Sequence, residues 1–441
     1  MCDIDNDEGE KIEAEGVKLP DEKKIRNLKE DESYKYLGVL EAGDLNRSEM
    51  KEKINKEYKR RVRKVLETKL NGHNLIKAIN TWAVAVVRYS APFLDWNKDE
   101  LLALDRRTRK LMTMHKALHP KSNVDRLYLS RKEGGRGLIS IEDTTRTAIL
   151  GLQKHIQKSE EKLITAARKP EDISETPKRF KSRRAKERKQ NWTDKALHGQ
   201  YLRRTEAVPS KERWAWLSKG GIKRETETLI LAAQEQAIRT NQIKTKIDKT
   251  QEDSLCRMCK QADETVDHLL NEYSKMAQKE FKRRHDWVGK KIHWEVCLKY
   301  GFDVKSKWYE HEPETTMEND VCTILWDFNI QTDHVIQARR PDLVIKDKAK
   351  NDCLIFAVPY DSRVETKEFE KLEKYQDLAR ELKKLWNMNV RVIPIVIGAL
   401  GTTPKDLHKR LKEIGIETKI VELQKAVILH SARILRKVLE F

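Results

Sequence analysis

Two thiols and an imidazole stand at metal-ligand spacing in Cys256-x2-Cys259-x8-His268-x4-Tyr273. Soft or borderline donors of this kind suit a tetrahedral Zn2+ ion. A closed site wants a fourth donor. Tyr273 is a poor one, and His285 or Cys297 substitutes only if the fold brings it close. Without metal the same residues make a degenerate knuckle. A Cys-x-x-Cys pair can also be redox active, although no thioredoxin-like βαβ pattern surrounds this one. A second constellation is Arg339-Arg340-Pro341-Asp342, followed by an apolar run and by the strand-like LIFAVPY at 354–360. A carboxylate at the head of one strand, with an acid on the next, can hold Mg2+, which polarises a scissile phosphate and activates water. Pro-Asp by itself also occurs freely in turns. The third is a helical pattern over 365–386, which puts Lys371, Lys374 and Tyr375 near Asp342. Its plainer account is a solvated helix stitched by Glu–Lys pairs one turn apart.

The elements that would position these residues follow from periodicity. SYKYLGVL at 33–40 alternates and predicts a strand ending in a glycine turn. From Asn46 to Lys169 the pattern is helical. One helix lines up Tyr58, Val62, Val65 and Leu66 on one side and Lys59, Arg60, Arg61, Arg63 and Lys64 on the other. The stretch 74–89 is apolar nearly all round and predicts a buried helix that stops before Pro92. A further amphipathic helix over 101–118 carries Arg106, Arg107, Arg109, Lys110 and Lys116. RKEGGRGL at 131–138 predicts a turn whose glycines let backbone approach a partner, flanked by Arg131, Lys132 and Arg136. The stretch 170–190 predicts a linker. Its run KRFKSRRAKERK, with Lys181, Arg183 and Arg184, is either a solvated helix or spacer, or a phosphate-binding or nuclear-import segment. Trp192, Trp214 and Trp216 predict core positions in the helical stretch that follows. After Glu280 helices alternate with β-branched runs, and a last helix aligns Ile420, Leu423, Val427, Ile434 and Val438. The fold class expected is α+β, helix-rich.

Bulk composition narrows the function classes. Lys and Arg number 90 against 71 Asp and Glu in 441 residues, a net charge of +19 that favours polyanionic partners. Six cysteines are too few for a disulfide framework and fit a reducing compartment. The acidic opening has no apolar core of the kind a signal peptide carries, and no apolar run reaches the roughly 20 residues of a membrane span. A secreted or membrane protein is therefore not expected.

In serial order YKYLGVLE, the basic helical region ending in RKEGGRGLISIE, KALHGQYLRR, the Cys-Cys-His knuckle, RRHDW, RRPDL and KLEKYQDL are more specific than any one of them. From about Ser33 onward the chain resembles the C-terminal part of non-LTR retrotransposon polyproteins that carry a restriction-like endonuclease. The resemblance implies an acidic tail and the end of a reverse transcriptase palm over 1–45 and a helical thumb over 46–169. It further implies a basic linker and helical region over 170–250, a CCHC-type knuckle over 251–279 and a PD-(D/E)xK-type nuclease over 280–441. Target DNA and element RNA are the implied partners, in the nucleus or otherwise the cytoplasm, with Zn2+ in the knuckle and Mg2+ in the nuclease. Candidate nucleic-acid contacts are Arg60, Arg61, Arg63, Lys64, Arg106, Arg107, Arg109, Arg131, Lys132, Arg136, Lys181, Arg183 and Arg184, joined by Arg284 and His285 of RRHDW. Candidate zinc ligands are Cys256, Cys259 and His268, and the candidate catalytic set is Asp342, Lys371, Lys374 and Tyr375.

Three departures shape the functional expectation. The sequence has no Ala-Asp-Asp, so this chain by itself is not expected to polymerise. Tyr273 stands where the family has a cysteine. The family's second nuclease acid lies inside the strand after Pro-Asp, roughly IIDVAVPYD, whereas here LIFAVPYD has none, with Asp352 and Asp361 flanking it. One carboxylate neither fixes a metal's geometry nor balances its charge. The expectation is a nucleic-acid-binding retroelement fragment with an impaired nuclease site. The alternative is an active Mg2+-dependent nickase centred on Asp342.

Overall fold

The computed structural model describes residues 46–166, 175–273, 277–333, 336, 338–357, 364–416 and 418–439, and before them only short strands. Those are β1 (Ile4–Asp5), β2 (Lys11–Ile12), β3 (Tyr34–Tyr36), β4 (Val39–Ala42) and β5 (Asp44–Leu45). β3 and β4 pair antiparallel with Tyr36 opposite Val39, so the stretch 33–40 expected to form one strand holds two that pair with each other. The glycine turn expected there lies outside the described residues, as do the acidic tail beyond β1 and β2 and most of the linker before 175.

The chain packs as two compact units. One comprises Met1–Arg63, Thr81–Thr108 and Ser140–Arg179; the other comprises Lys64–Asn80, Arg109–Ile139 and Phe180–Phe441. In the first, helix α1 (Arg47–Glu67) buries Tyr58 and Val62 of the stripe its sequence predicts, and extends it by one residue per turn through Ile54 and Met50. The Tyr58 hydroxyl lies 2.7 Å from the Thr108 hydroxyl on helix α2 (Lys98–Met114), so the stripe's polar atom is satisfied on burial. Helix α3 (Ile141–Lys158) starts at Ser140, which accepts from the Asp143 amide. The buried carboxylate of Asp105 then accepts from the Ser140 hydroxyl at 2.8 Å and the Ile141 amide at 2.9 Å. A negative group at the positive end of the helix dipole fixes where this helix begins.

Among its described residues the second unit shows three cores. The first gathers Trp192, Trp214, Trp216, Tyr201 and helix α5 (Arg224–Gln234). All three tryptophans are buried as their sequence context predicts. The basic run lies on helix α4 (Pro177–Asp194), the helical alternative of the sequence reading, with Phe180, Arg188 and Trp192 buried. The glycine-rich turn departs from expectation. A Cβ on Gly134 would come 2.5 Å from the Trp214 ring and one on Gly135 2.1 Å from the Leu129 carbonyl, and Gly134 has φ +91°. Gly134 and Gly135 admit the protein's own side chains and backbone.

The other two cores lie on opposite faces of a five-stranded mixed sheet, ordered β10-β9-β8-β7-β6. Its strands are β6 (Thr316–Glu318), β7 (Cys322–Trp326), β8 (Leu343–Asp347), β9 (Asp352–Ala357) and β10 (Asn389–Pro394). β6 to β9 pair antiparallel. Helix α7 (Val364–Trp386) then crosses over so that β10 lies parallel to β9. Along β8, Leu343 and Ile345 face helices α6 (Lys282–Lys299) and α8 (Ile420–Leu439), while Val344 faces Tyr375, Leu378 and Leu382 of α7. Burial on both faces explains why these strands read as unbroken apolar runs. Helix α8 contributes Leu423 and Val427 to the sheet core and Ile434 and Val438 to the tryptophan core, so its apolar stripe joins the two. Helices with a mixed sheet make the fold α+β and helix-rich. Among the described residues no helix is long and apolar enough to cross a membrane.

Candidate functional site

Asp342 sits at the head of β8, and its strand register decides what surrounds it. Leu343 pairs with Trp326 on β7 and with Phe356 on β9, so Asp342 lies level with Asp327 on one side and Ala357 on the other. The Asp327 amide donates to the Asp342 carbonyl at 3.1 Å. Asp327 was not anticipated from sequence, since only strand pairing brings it here. Its carboxylate is engaged by Arg340 at 2.8 Å and by Lys282 at 3.7 Å.

The β9 side supplies no acid at this level. Asp352, expected to flank the strand, is instead the first residue of β9, opposite Asp347 and bound to Arg391. About 3.3 Å of strand rise per residue puts it roughly 15 Å from the Asp342 end. It therefore cannot share a metal with Asp342. Asp361 lies outside the described residues.

His285, on α6, places Nε2 3.1 Å from Asp342 Oδ1 and Nδ1 2.9 Å from Asp286 Oδ1. Burial opposes a charged imidazole, but hydrogen bonds to the two carboxylates outweigh it and raise the pKa to about 9. Asp342 is therefore neutralised by an imidazolium. Tyr375 is buried, donates to the Arg340 carbonyl at 3.4 Å, and has its phenol pKa pushed up, first by burial and then by Asp342. Lys374 is exposed, with its ammonium 5.2 Å from the Tyr375 ring; Lys371 belongs to α7, and its side chain lies outside the described residues. Among the described residues the set does not fit Mg2+: its central carboxylate holds a cation already, and Asp327, level with it on β7, is tied to Arg340 and Lys282.

The knuckle residues do converge. Cys256 Sγ, Cys259 Sγ and one ring nitrogen of His268 lie within 4.8 Å of one another, with Cys259 Sγ 3.3 Å from His268 Nε2. The turn between them has Lys260 at φ +59° and a bridge from Leu255 to Asp263. Beneath it the buried Glu264 carboxylate binds Arg257 through two 2.8 Å hydrogen bonds and accepts from the Asn241 amide, which stiffens the loop. This donor set fits Zn2+. Tyr273 is buried with its ring 6.4 Å from that of His268, and it packs in the tryptophan core together with Cys256. Neither His285, held by Asp342 and Asp286, nor Cys297, which lies against His293, is at the knuckle.

The candidate phosphate contacts separate by burial. Arg131 and Arg136 both bind the buried Glu227, and Arg136 also donates to the Ala117 carbonyl. Arg284 is buried between Asn271 and Ser431. These three were expected to face phosphate and instead hold the interior together. Arg109 donates to the Tyr128 hydroxyl at 2.7 Å. Arg183 and Arg184 pair with Glu187 on α4, beside the exposed Lys181. Arg63, Lys64, Arg106, Arg107 and Lys132 are exposed, Lys64 within 3.6 Å of Glu67.

Arg60 and Arg61 share Glu57, whose carboxyl is lowered to about 2 by hydrogen bonds from Arg60 and then Arg61. Their guanidinium carbons also lie 6.0 and 5.2 Å from the ring centroid of Trp82. Trp82 is 41% exposed, although its segment reads as a helix buried all round. The reason is local. Ile79–Ala83 is a π-helical turn, and its wider winding buries Ile79 and Ala83 while turning Trp82 outward. A lone tryptophan among small and β-branched residues was the available signal. Tyr89 and Phe93 are exposed as well.

No protein-family model matches the chain, and no curated protein does either.

Proposed function

We propose that this protein binds nucleic acid without cutting it, and that it is related to the C-terminal part of non-LTR retrotransposon polyproteins. The observation that carries the reading is Trp82, an exposed ring with two guanidiniums beside it. An aromatic face stacks a base of any sequence, and neighbouring cations take the phosphates. Exposed Arg63, Arg106 and Arg107 extend the cationic surface of α1 and α2, and the net charge of +19 favours polyanions at long range. Single-stranded regions of target DNA or element RNA are the partners that a stacking platform suits, and the nucleus is where such partners occur. Support for a nuclease ancestry is the layout of Pro341-Asp342 heading β8 with β9 as its neighbour. Support for lost cleavage is the His285 imidazolium on Asp342 and the alanine level with it on β9. In this reading Cys256, Cys259 and His268 hold Zn2+, which would stiffen the knuckle against the tryptophan core.

Fluorescence anisotropy with labelled single-stranded DNA and RNA tests the binding half. Affinity is expected to fall linearly with salt on logarithmic axes. Binding unchanged from low to high salt would overturn it. A plasmid-nicking assay tests the other half: no cleavage is expected with Mg2+ or Mn2+. Nicking that Asp342→Ala abolishes would show that the protein is instead an active nickase.

A further inference from the structure

A second group of soft donors lies in the sheet domain, away from the knuckle. His293 and Cys297 are one turn apart on α6 and so share a face of that helix. His311 follows the short 3-10 turn Trp308–Glu310 and is folded back onto them. His293 Nδ1 is 2.8 Å from His311 Nε2, and Cys297 Sγ is 3.4 Å from His293 Nδ1. The Met317 thioether, on β6, approaches Cys297 Sγ to 3.6 Å. His293 and Cys297 are fully buried and His311 nearly so, with Trp326 edge-on to His293 at 5.7 Å.

We propose that His293, Cys297, His311 and Met317 form a buried site for one soft monovalent metal ion, Cu+. A tetrahedral ion with metal–nitrogen bonds of about 2.05 Å and metal–sulfur bonds of about 2.3 Å has N···N, N···S and S···S edges of about 3.3, 3.6 and 3.8 Å. The observed separations of 2.8, 3.4 and 3.6 Å follow that order and lie slightly inside it. Each contact is also within hydrogen-bond reach; together they gather two imidazoles, a thiol and a thioether, the donor types of a soft-metal site.

Charge and softness select the ion. With Cys297 as thiolate and three neutral donors, Cu+ makes an electrically neutral donor set, whereas Zn2+ leaves one positive charge on it, offset only by more distant groups such as Glu314. A thioether also favours Cu+ over harder ions. Filling the site would tie α6 to β6 and to the His311 segment. The same helix carries His285 to Asp342, so the ion would hold that contact in place.

The test is anaerobic competition for Cu+ between the full chain and a chromophoric Cu+ chelator, after one equivalent of Zn2+ has been supplied. The wild type is expected to retain one Cu+. His311→Gln should lose it by at least about 100-fold in affinity, and Met317→Leu should weaken it about tenfold. Cys256→Ser in the knuckle should leave this equivalent in place. Circular dichroism of the apo variants guards against misfolding, and Met317→Leu, an apolar replacement at a half-buried position, keeps the test decisive if His311→Gln does not fold. Retention of Cu+ by both His311→Gln and Met317→Leu at wild-type affinity would overturn the site. Loss of the ion in Cys256→Ser alone would assign it to the knuckle and overturn it as well. Tighter Zn2+ than Cu+ binding at these residues would overturn the choice of ion.

Discussion

His285 Nε2 lies 3.1 Å from Asp342 Oδ1, so the one carboxylate that the sequence offers as a nuclease acid is spent on an internal ion pair. The imidazole belongs to α6 and the carboxylate to the head of β8, and this pair joins the helix layer to the sheet.

That pairing predicts a pH-dependent stability. The folded pKa of His285, about 9, is raised above its ordinary 6.5. Its stabilisation is therefore complete below about 6.5 and is lost as pH climbs through about 9, on the order of 3 kcal/mol in all. Urea denaturation of the wild type should show this decline between those limits. His285→Gln should flatten it; an equally steep decline in the variant would rule out His285 as its source.

Trp82→Ala should weaken binding of single strands without weakening the fold. Base–aromatic stacking contributes about 1–3 kcal/mol per base, which corresponds to roughly 5- to 150-fold in affinity. The residue is 41% exposed, so the melting temperature should stay within a few degrees. Anisotropy and thermal melts of the same sample check both halves.

Glu227 is buried between the guanidiniums of Arg131 and Arg136. Glu227→Gln leaves the buried Arg136 and the part-buried Arg131 without their counter-charge and should destabilise by on the order of 3–5 kcal/mol. Arg131→Ala should likewise lower stability while leaving the salt slope of nucleic-acid binding unchanged. A shallower slope would return Arg131 to the phosphate-binding set.

Tyr273→Cys should complete a Cys3His donor set in the knuckle. Zn2+ affinity, measured against a chromophoric chelator, is expected to tighten by tenfold or more, with release slowed to match. Unchanged affinity would mean that position 273 does not reach the ion.

The metal-ligand spacing at Cys256, Cys259 and His268, the amphipathic stripe of α1, the buried tryptophans and the α+β alternation were all readable in one dimension. Each rests on local periodicity or on ligands close together in the chain. Which cations reach solvent was not readable. Arg131, Arg136 and Arg284 look like Arg63 and Arg106 in sequence, and only the buried partners Glu227, Asn271 and Ser431 set them apart.

Sequence by itself determined the composition of this protein's chemistry: a large surplus of cations, a pair of thiols with a histidine, and a Pro-Asp ahead of an apolar run, LIFAVPY, that contains no acid. Tertiary structure decided who meets whom. Strand register set Asp327 and Ala357 beside Asp342, and α6 packing added His285 to it. A π-helical turn put Trp82 in the open, and a folded-back segment carried His311 to His293 and Cys297. Apart from that local turn, these contacts join residues far apart in the chain, and their geometry depends on how whole elements pack. Helical or strand periodicity, which reports only on neighbours, carries no record of it.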